Sequence, residues 1–177
     1  MGVYLLRWAA GIIAVYHLCV VSQLPTWFGV FVPDQVHKAV SLCSALFILF
    51  LFVPPDHHRQ GTISGRFRYS LDCCFLLSAL IGGGFVVFFH DRILGYTLFG
   101  FLDRPGIVAS SLLVISLLAA VRRVAGWVLP AIILFFICIT MFQQFLPGVL
   151  RGIGFPIEQL LFSVYVGDAG IFGRPLD

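Results

Sequence analysis

Apolar residues along this chain gather in five near-continuous runs, residues 4–24, 36–53, 71–89, 107–121 and 126–146, each bounded by charge, proline or glycine. A helix rises about 1.5 Å per residue and the hydrocarbon core of a bilayer is about 30 Å thick, so roughly 20 apolar residues make one span. The first, third and fifth runs reach that length. The second does so if His37 and Lys38 snorkel outward from its start, and the fourth needs residues 98–101, or a thinned bilayer, to help it. Backbone groups in lipid must be satisfied within the segment, and runs without strand-like alternation select helices over a barrel. The pattern predicts an all-α, polytopic membrane bundle of four to five transmembrane helices. Residues 1–149 form its transmembrane domain and residues 150–177 an amphipathic interfacial tail.

Four residues, Arg122 to Ala125, separate the last two runs. One continuous helix would carry Arg122 and Arg123 deep into lipid, at about 2.5 to 3.5 kcal/mol each. A break at the interface is therefore expected, with Gly126 and Pro130 supplying the bend and Arg122, Arg123 and Trp127 acting as membrane-interface anchors.

Composition reinforces this picture: 60% hydrophobic and 11% charged residues leave too little polar surface to coat a soluble domain. With five spans, Arg7, Arg59, Arg66, Arg68, Arg122 and Arg123 share one side, against Lys38, Arg92, Arg104, Arg151 and Arg174 on the other. That balance predicts a cytoplasmic amino terminus and an external carboxyl terminus. The first run is too long for a signal-peptide core and lacks a small-residue cleavage site, which predicts a retained span. No phosphate-binding glycine loop, zinc-spaced cysteine set or basic nucleic-acid stripe is present, so no nucleic-acid partner and no cofactor are expected.

Polar residues inside the runs carry what chemistry there is. Cys19, Cys43, Cys73, Cys74 and Cys138 sit at apolar positions and read as small packing residues. Asp72 lies at a span start, and the runs hold almost no other carboxylate, the usual sign of ion coupling. His17 alone among the histidines lies well inside a run, and reads first as a packed, hydrogen-bonded histidine. Gly82, Gly83 and Gly84, with Ser41, Ser44 and Ala45, suit close helix packing. In the tail, residues 156–166 place Ile157, Leu160, Leu161 and Val164 on one face of an amphipathic helix, before Gly167, Gly170 and Gly173 break the chain. That face has no partner recognisable in the sequence, so Ile157, Leu160, Leu161, Val164, Gly170 and Gly173 are the candidate contacts for a partner protein.

Four segments in order, HKAVSLCSALFILFLFVPP (37–55), RRVAGWVLPAIILFFI (122–137), FLPG (145–148) and GDAGIFGRPL (167–176), resemble the amino-terminal part of the fused permeases of tripartite ATP-independent periplasmic (TRAP) transporters, in the branch served by TAXI-type binding proteins. The resemblance implies a small, non-catalytic membrane scaffold in the bacterial inner membrane. Its implied partners are membrane lipid, a large permease subunit or domain carrying the substrate and sodium sites, and a periplasmic solute-binding protein delivering an organic acid or similar solute. In that family the large domain begins where this chain ends, which leaves a separate small subunit, a truncated product and a fragment all open. The alternative from another class is a small membrane redox or haem-anchoring protein using His17 and His90.

Overall fold

A computed structural model of the chain describes residues 2–29, 32–52, 65–145, 147–148, 151–152, 154–167 and 170–172. Every regular element among them is helical: α1 (Gly2–Val21), α2 (Leu24–Trp27), α3 (Asp34–Phe52), α4 (Gly65–Phe88), α5 (His90–Phe99), α6 (Arg104–Ala125), α7 (Val128–Met141), a 3-10 turn (Gln143–Phe145) and α8 (Ile157–Tyr165). Three stretches, Asp34–Phe52, Tyr69–Phe88 and Arg104–Ala125, are long and apolar enough to cross a membrane, which marks this as a membrane protein.

Each apolar run becomes a helix, but two differ in length from expectation. The fourth run does not borrow residues 98–101, which form the end of α5 and the turn after it. Instead Asp103 caps α6 by accepting from the Gly106 amide at 2.9 Å, Pro105 occupies its first turn, and the helix runs 22 residues to Ala125. The fifth run yields only the 14 residues of α7. That is about 21 Å of helix against a core of about 30 Å.

At the start of α3, Lys38 reaches back one turn to Asp34 at 2.8 Å, as a snorkelling lysine does, but its side chain is packed inside and only 5% exposed. Asp34 itself sits in the first turn, where a carboxylate opposes the positive end of the helix dipole.

The core is a layer in which α4 lies antiparallel between α3 and α6. Phe50 of α3 stacks on Phe75 of α4, with ring centroids 6.0 Å apart, and Cys43 of α3 donates its thiol to the Ala79 carbonyl of α4 at 3.7 Å. On the other side, Asp72 near the start of α4 meets Arg123 near the end of α6. The glycines of α4 set how closely these helices approach. A Cβ on Gly82 would lie 2.7 Å from the Ala109 carbonyl oxygen and 2.8 Å from Leu113 Cβ, both on α6, and a Cβ on Gly83 would overlap Cys43 Sγ on α3. Gly84 has only Phe88 of its own helix nearby, at 3.9 Å. Two of the three glycines therefore meet the packing expectation directly, each against a different neighbour.

α8 folds back onto this layer. Its Tyr165 is fully buried and donates its hydroxyl to the Gly82 carbonyl at 2.6 Å, while Leu161, one turn earlier, is 7% exposed. After the helix the chain hooks back: the Ile171 amide donates to Val164 at 2.6 Å and the Phe172 amide to Tyr165 at 3.2 Å, which lays the Phe172 ring edge-on against Tyr165. Gly170 permits this hook, because a Cβ there would stand 2.6 Å from the Ser163 carbonyl oxygen.

Gly83→Ala should lower stability by about 1 to 3 kcal/mol through overpacking against Cys43. The pair Cys43→Ala with Gly83→Ala should regain most of that loss, since the offending sulfur is gone. Thermal unfolding in detergent, followed by circular dichroism, checks both; additive losses in the double variant would contradict the assigned contact.

Candidate functional site

The break between α6 and α7 falls where the sequence places it. Gly126 ends α6 with φ of 76°, a conformation that favours glycine, and α7 restarts at Val128 with Pro130 still in its first turn, where a missing amide costs nothing. The two adjacent arginines then part company. Arg122 is exposed and its guanidinium lies 3.9 Å from the centroid of the half-exposed Trp127 ring, a stacked cation–π pair of the kind suited to headgroup depth. Arg123 turns inward instead of anchoring at the surface. Its side chain is 8% exposed, pairs with Asp72 at 2.9 Å and passes 5.7 Å from the Phe50 ring, leaving Nε buried without a hydrogen-bond partner among the described residues. The lone acidic residue of the third run is thus half of an interhelical ion pair.

The tail is positioned differently from its sequence expectation as well. Its inserted side centres on Leu161 and Tyr165 and packs against α6 and α4, so the chain itself covers Leu161 of the predicted face. Leu160 and Val164 are half-buried, Gly170 is buried in the hook, and Ile157 is 54% exposed. Gly173 lies outside the described residues.

His17 and His90 are not brought together into a visible pair. His17 of α1 instead meets His37 of α3, ring centroids 5.1 Å apart and edge to face, and this direct contact leaves no room for a haem plane between the two rings. Tyr16 joins them, its hydroxyl 3.4 Å from His37 Nδ1, and Ser41 Oγ lies 3.5 Å from His17 Nδ1. His90 opens α5 with a buried Nδ1 that lacks a partner among the described residues. No group of three or more histidine, cysteine or acidic side chains suited to a metal ion occurs among the described residues.

A last polar constellation closes the α5–α6 corner. Asp103 accepts from the Gly106 amide and the Tyr96 hydroxyl, and pairs with Arg92 at 3.3 Å. Burial alone would raise the Asp103 carboxyl, but the Tyr96 hydroxyl, the Gly106 amide and Arg92 outweigh it and hold the group below its ordinary range. Burial and the bond to Asp103 push the Tyr96 phenol up to about 12.

The comparisons with known proteins leave this geometry to speak for itself: no family model, curated protein or solved structure matches the chain.

Asp72→Asn leaves Arg123 charged in a nearly closed setting, and should cost about 3 kcal/mol or more. Replacing both partners with apolar residues, as in Asp72→Leu with Arg123→Met, should recover much of this. Denaturation curves in detergent distinguish the two results. At the α5–α6 corner the sign follows from the lowered carboxyl: its stabilising contribution is present above the ordinary aspartate range and is lost as pH falls through the folded-state value. Acid unfolding of Asp103→Asn should accordingly show a shallower pH dependence than that of the unaltered chain.

Proposed function

We propose that this chain is the small, non-catalytic scaffold subunit of a TRAP-type secondary transporter, a bundle of four to five spans in the bacterial inner membrane. The observation that carries the reading is sequential: the segments at 37–55, 122–137, 145–148 and 167–176 resemble the small-domain portion of TAXI-associated permeases in the same order. In this reading a large permease subunit or domain moves the solute, a periplasmic binding protein delivers it, and this chain widens the moving unit's footing in lipid.

Two structural features support the assignment of transport to the partner. Asp34 and Asp72 are the carboxylates on the three long apolar helices, and both are ion-paired, to Lys38 and Arg123. Ion coupling in a membrane ordinarily uses carboxylates free to exchange their ligand. The second feature is surface: α7 presents Ile132, Phe135 and Phe136 to its surroundings, and α1 presents Trp8, Ile12 and Val15, faces suited to lipid or to a larger membrane partner.

The test is reconstitution. Liposomes holding this chain alone should take up no organic acid against a sodium gradient, and uptake should appear when a large TRAP permease and a TAXI-type binding protein are added. Sodium-dependent uptake by the chain alone, or failure of the full chain to co-purify with any large TRAP permease, would defeat the proposal.

A further inference from the structure

Between α1, α3 and α4 runs an open groove of about 610 Å³, lined by apolar side chains that include Ile12, Ile13, Val40, Phe47 and Leu80, with Gly84 in its floor. Its α3 wall extends from Ala39 to Phe47, which is about 12 Å along the helix axis. The two faces that line it change character at one end. On α1, Tyr16 and His17 stand one turn beyond Ile12 and Ile13; on α3, His37 stands one turn before Val40, with Ser41 beside it. The apolar groove therefore ends at the Tyr16, His17, His37 and Ser41 cluster.

That cluster lies near the ends of two helices. His37 is three residues from the start of α3 and Tyr16 five from the end of α1, so both sit about 5 to 8 Å inside the helix ends. Its bonds are long, 3.4 and 3.5 Å, and leave hydrogen-bonding capacity. Ser41 donates to the His37 carbonyl at 2.9 Å, so its oxygen accepts from His17. His37 Nδ1 and the Tyr16 hydroxyl share this bond, and in the tautomer that protonates Nδ1 the phenolic proton is left for another acceptor. Of the cations at this end, Lys38 pairs with Asp34 and Arg92 with Asp103, while Arg104 at the start of α6 is exposed and in neither pair.

We infer that the groove holds one acyl chain of a membrane phospholipid, with a glycerol-ester carbonyl of the same lipid accepting a hydrogen bond from Tyr16. A hydroxyl donor at the end of an apolar groove suits an ester carbonyl, whereas a phosphate belongs farther out in water. The groove points from the donors toward the bilayer centre, the direction an acyl chain takes from its ester. A wholly apolar partner helix would strand the donors at its end. The inference does not depend on the transporter reading.

Gly84 gives the test its handle. A Cβ there would meet only the Phe88 ring at 3.9 Å, an ordinary contact, so Gly84→Leu fills the groove without disturbing the α4 contacts with α3 and α6. Gly11, whose added Cβ would meet nothing within 4 Å and which does not line the groove, provides the matched control Gly11→Leu. The full chain, stripped of lipid in detergent, is titrated with palmitoyl-oleoyl phosphatidylethanolamine and observed by native mass spectrometry. The unaltered chain and Gly11→Leu should each retain one lipid, and Gly84→Leu should lose it. Tyr16→Phe, which keeps the shape but removes the hydroxyl, should weaken retention about threefold to tenfold, and it decides the matter should Gly84→Leu fail to fold. Equal retention by Tyr16→Phe and the unaltered chain, or by a folded Gly84→Leu, overturns the inference. So does displacement of the phospholipid by equimolar palmitic acid or by an isoprenoid quinone.

Discussion

Close approach of α4 to two neighbours at one level is the constraint on which the bundle depends. Helices in lipid are not pressed together by the hydrophobic effect, because acyl chains are as apolar as leucine; packing and interhelical hydrogen bonds must hold them. Gly82 and Gly83 are successive residues and so face directions about 100° apart. One admits α6 and the other α3. The Gly82 carbonyl also receives Tyr165, which keys α8 to the same level. Side chains larger than hydrogen at these two positions would push apart three contacts together.

Polar groups within the layer are settled locally before they are settled between helices. Ser44, Ser111 and Ser116 return their hydroxyls to carbonyls three or four residues earlier in their own helices, as serine does where water is absent. Other groups find partners on neighbouring helices, as Cys43 and Tyr165 do on α4, and Asp72 with Arg123 joins α4 to α6 at the opposite end from the α5–α6 corner. The layer is thereby tied by charge at both ends and by glycine contacts between them.

Much of this was legible in sequence because it is local. Apolar runs mark where helices form, and the insertion cost of Arg122 and Arg123 marks where α6 must stop. What escaped is what depends on residues distant in the chain. Nothing near Arg123 in sequence announces Asp72, 51 positions away. His17 meets His37 only because α1 and α3 pack side by side, and the hydrophobic face of α8 looked unpartnered because Gly82 is 83 positions from Tyr165. The fourth run looked short for a different reason: its polar first and last turns are stabilised by the Asp103 cap and by the Asp72 pair, neither of which hydropathy registers.

The unequal lengths of α6 and α7 bear on the bilayer as much as on the protein. They adjoin through Gly126, yet one is about 33 Å long and the other about 21 Å. Were α7 to stand in the bilayer as a span, lipid around the bundle would meet a hydrophobic wall with a step in it. On the α7 side the leaflets would have to thin, or another apolar surface would have to cover the deficit, and each ångström of mismatch adds a fraction of a kcal/mol. Membrane elasticity itself would then favour any apolar surface on that flank whose own wall is equally low.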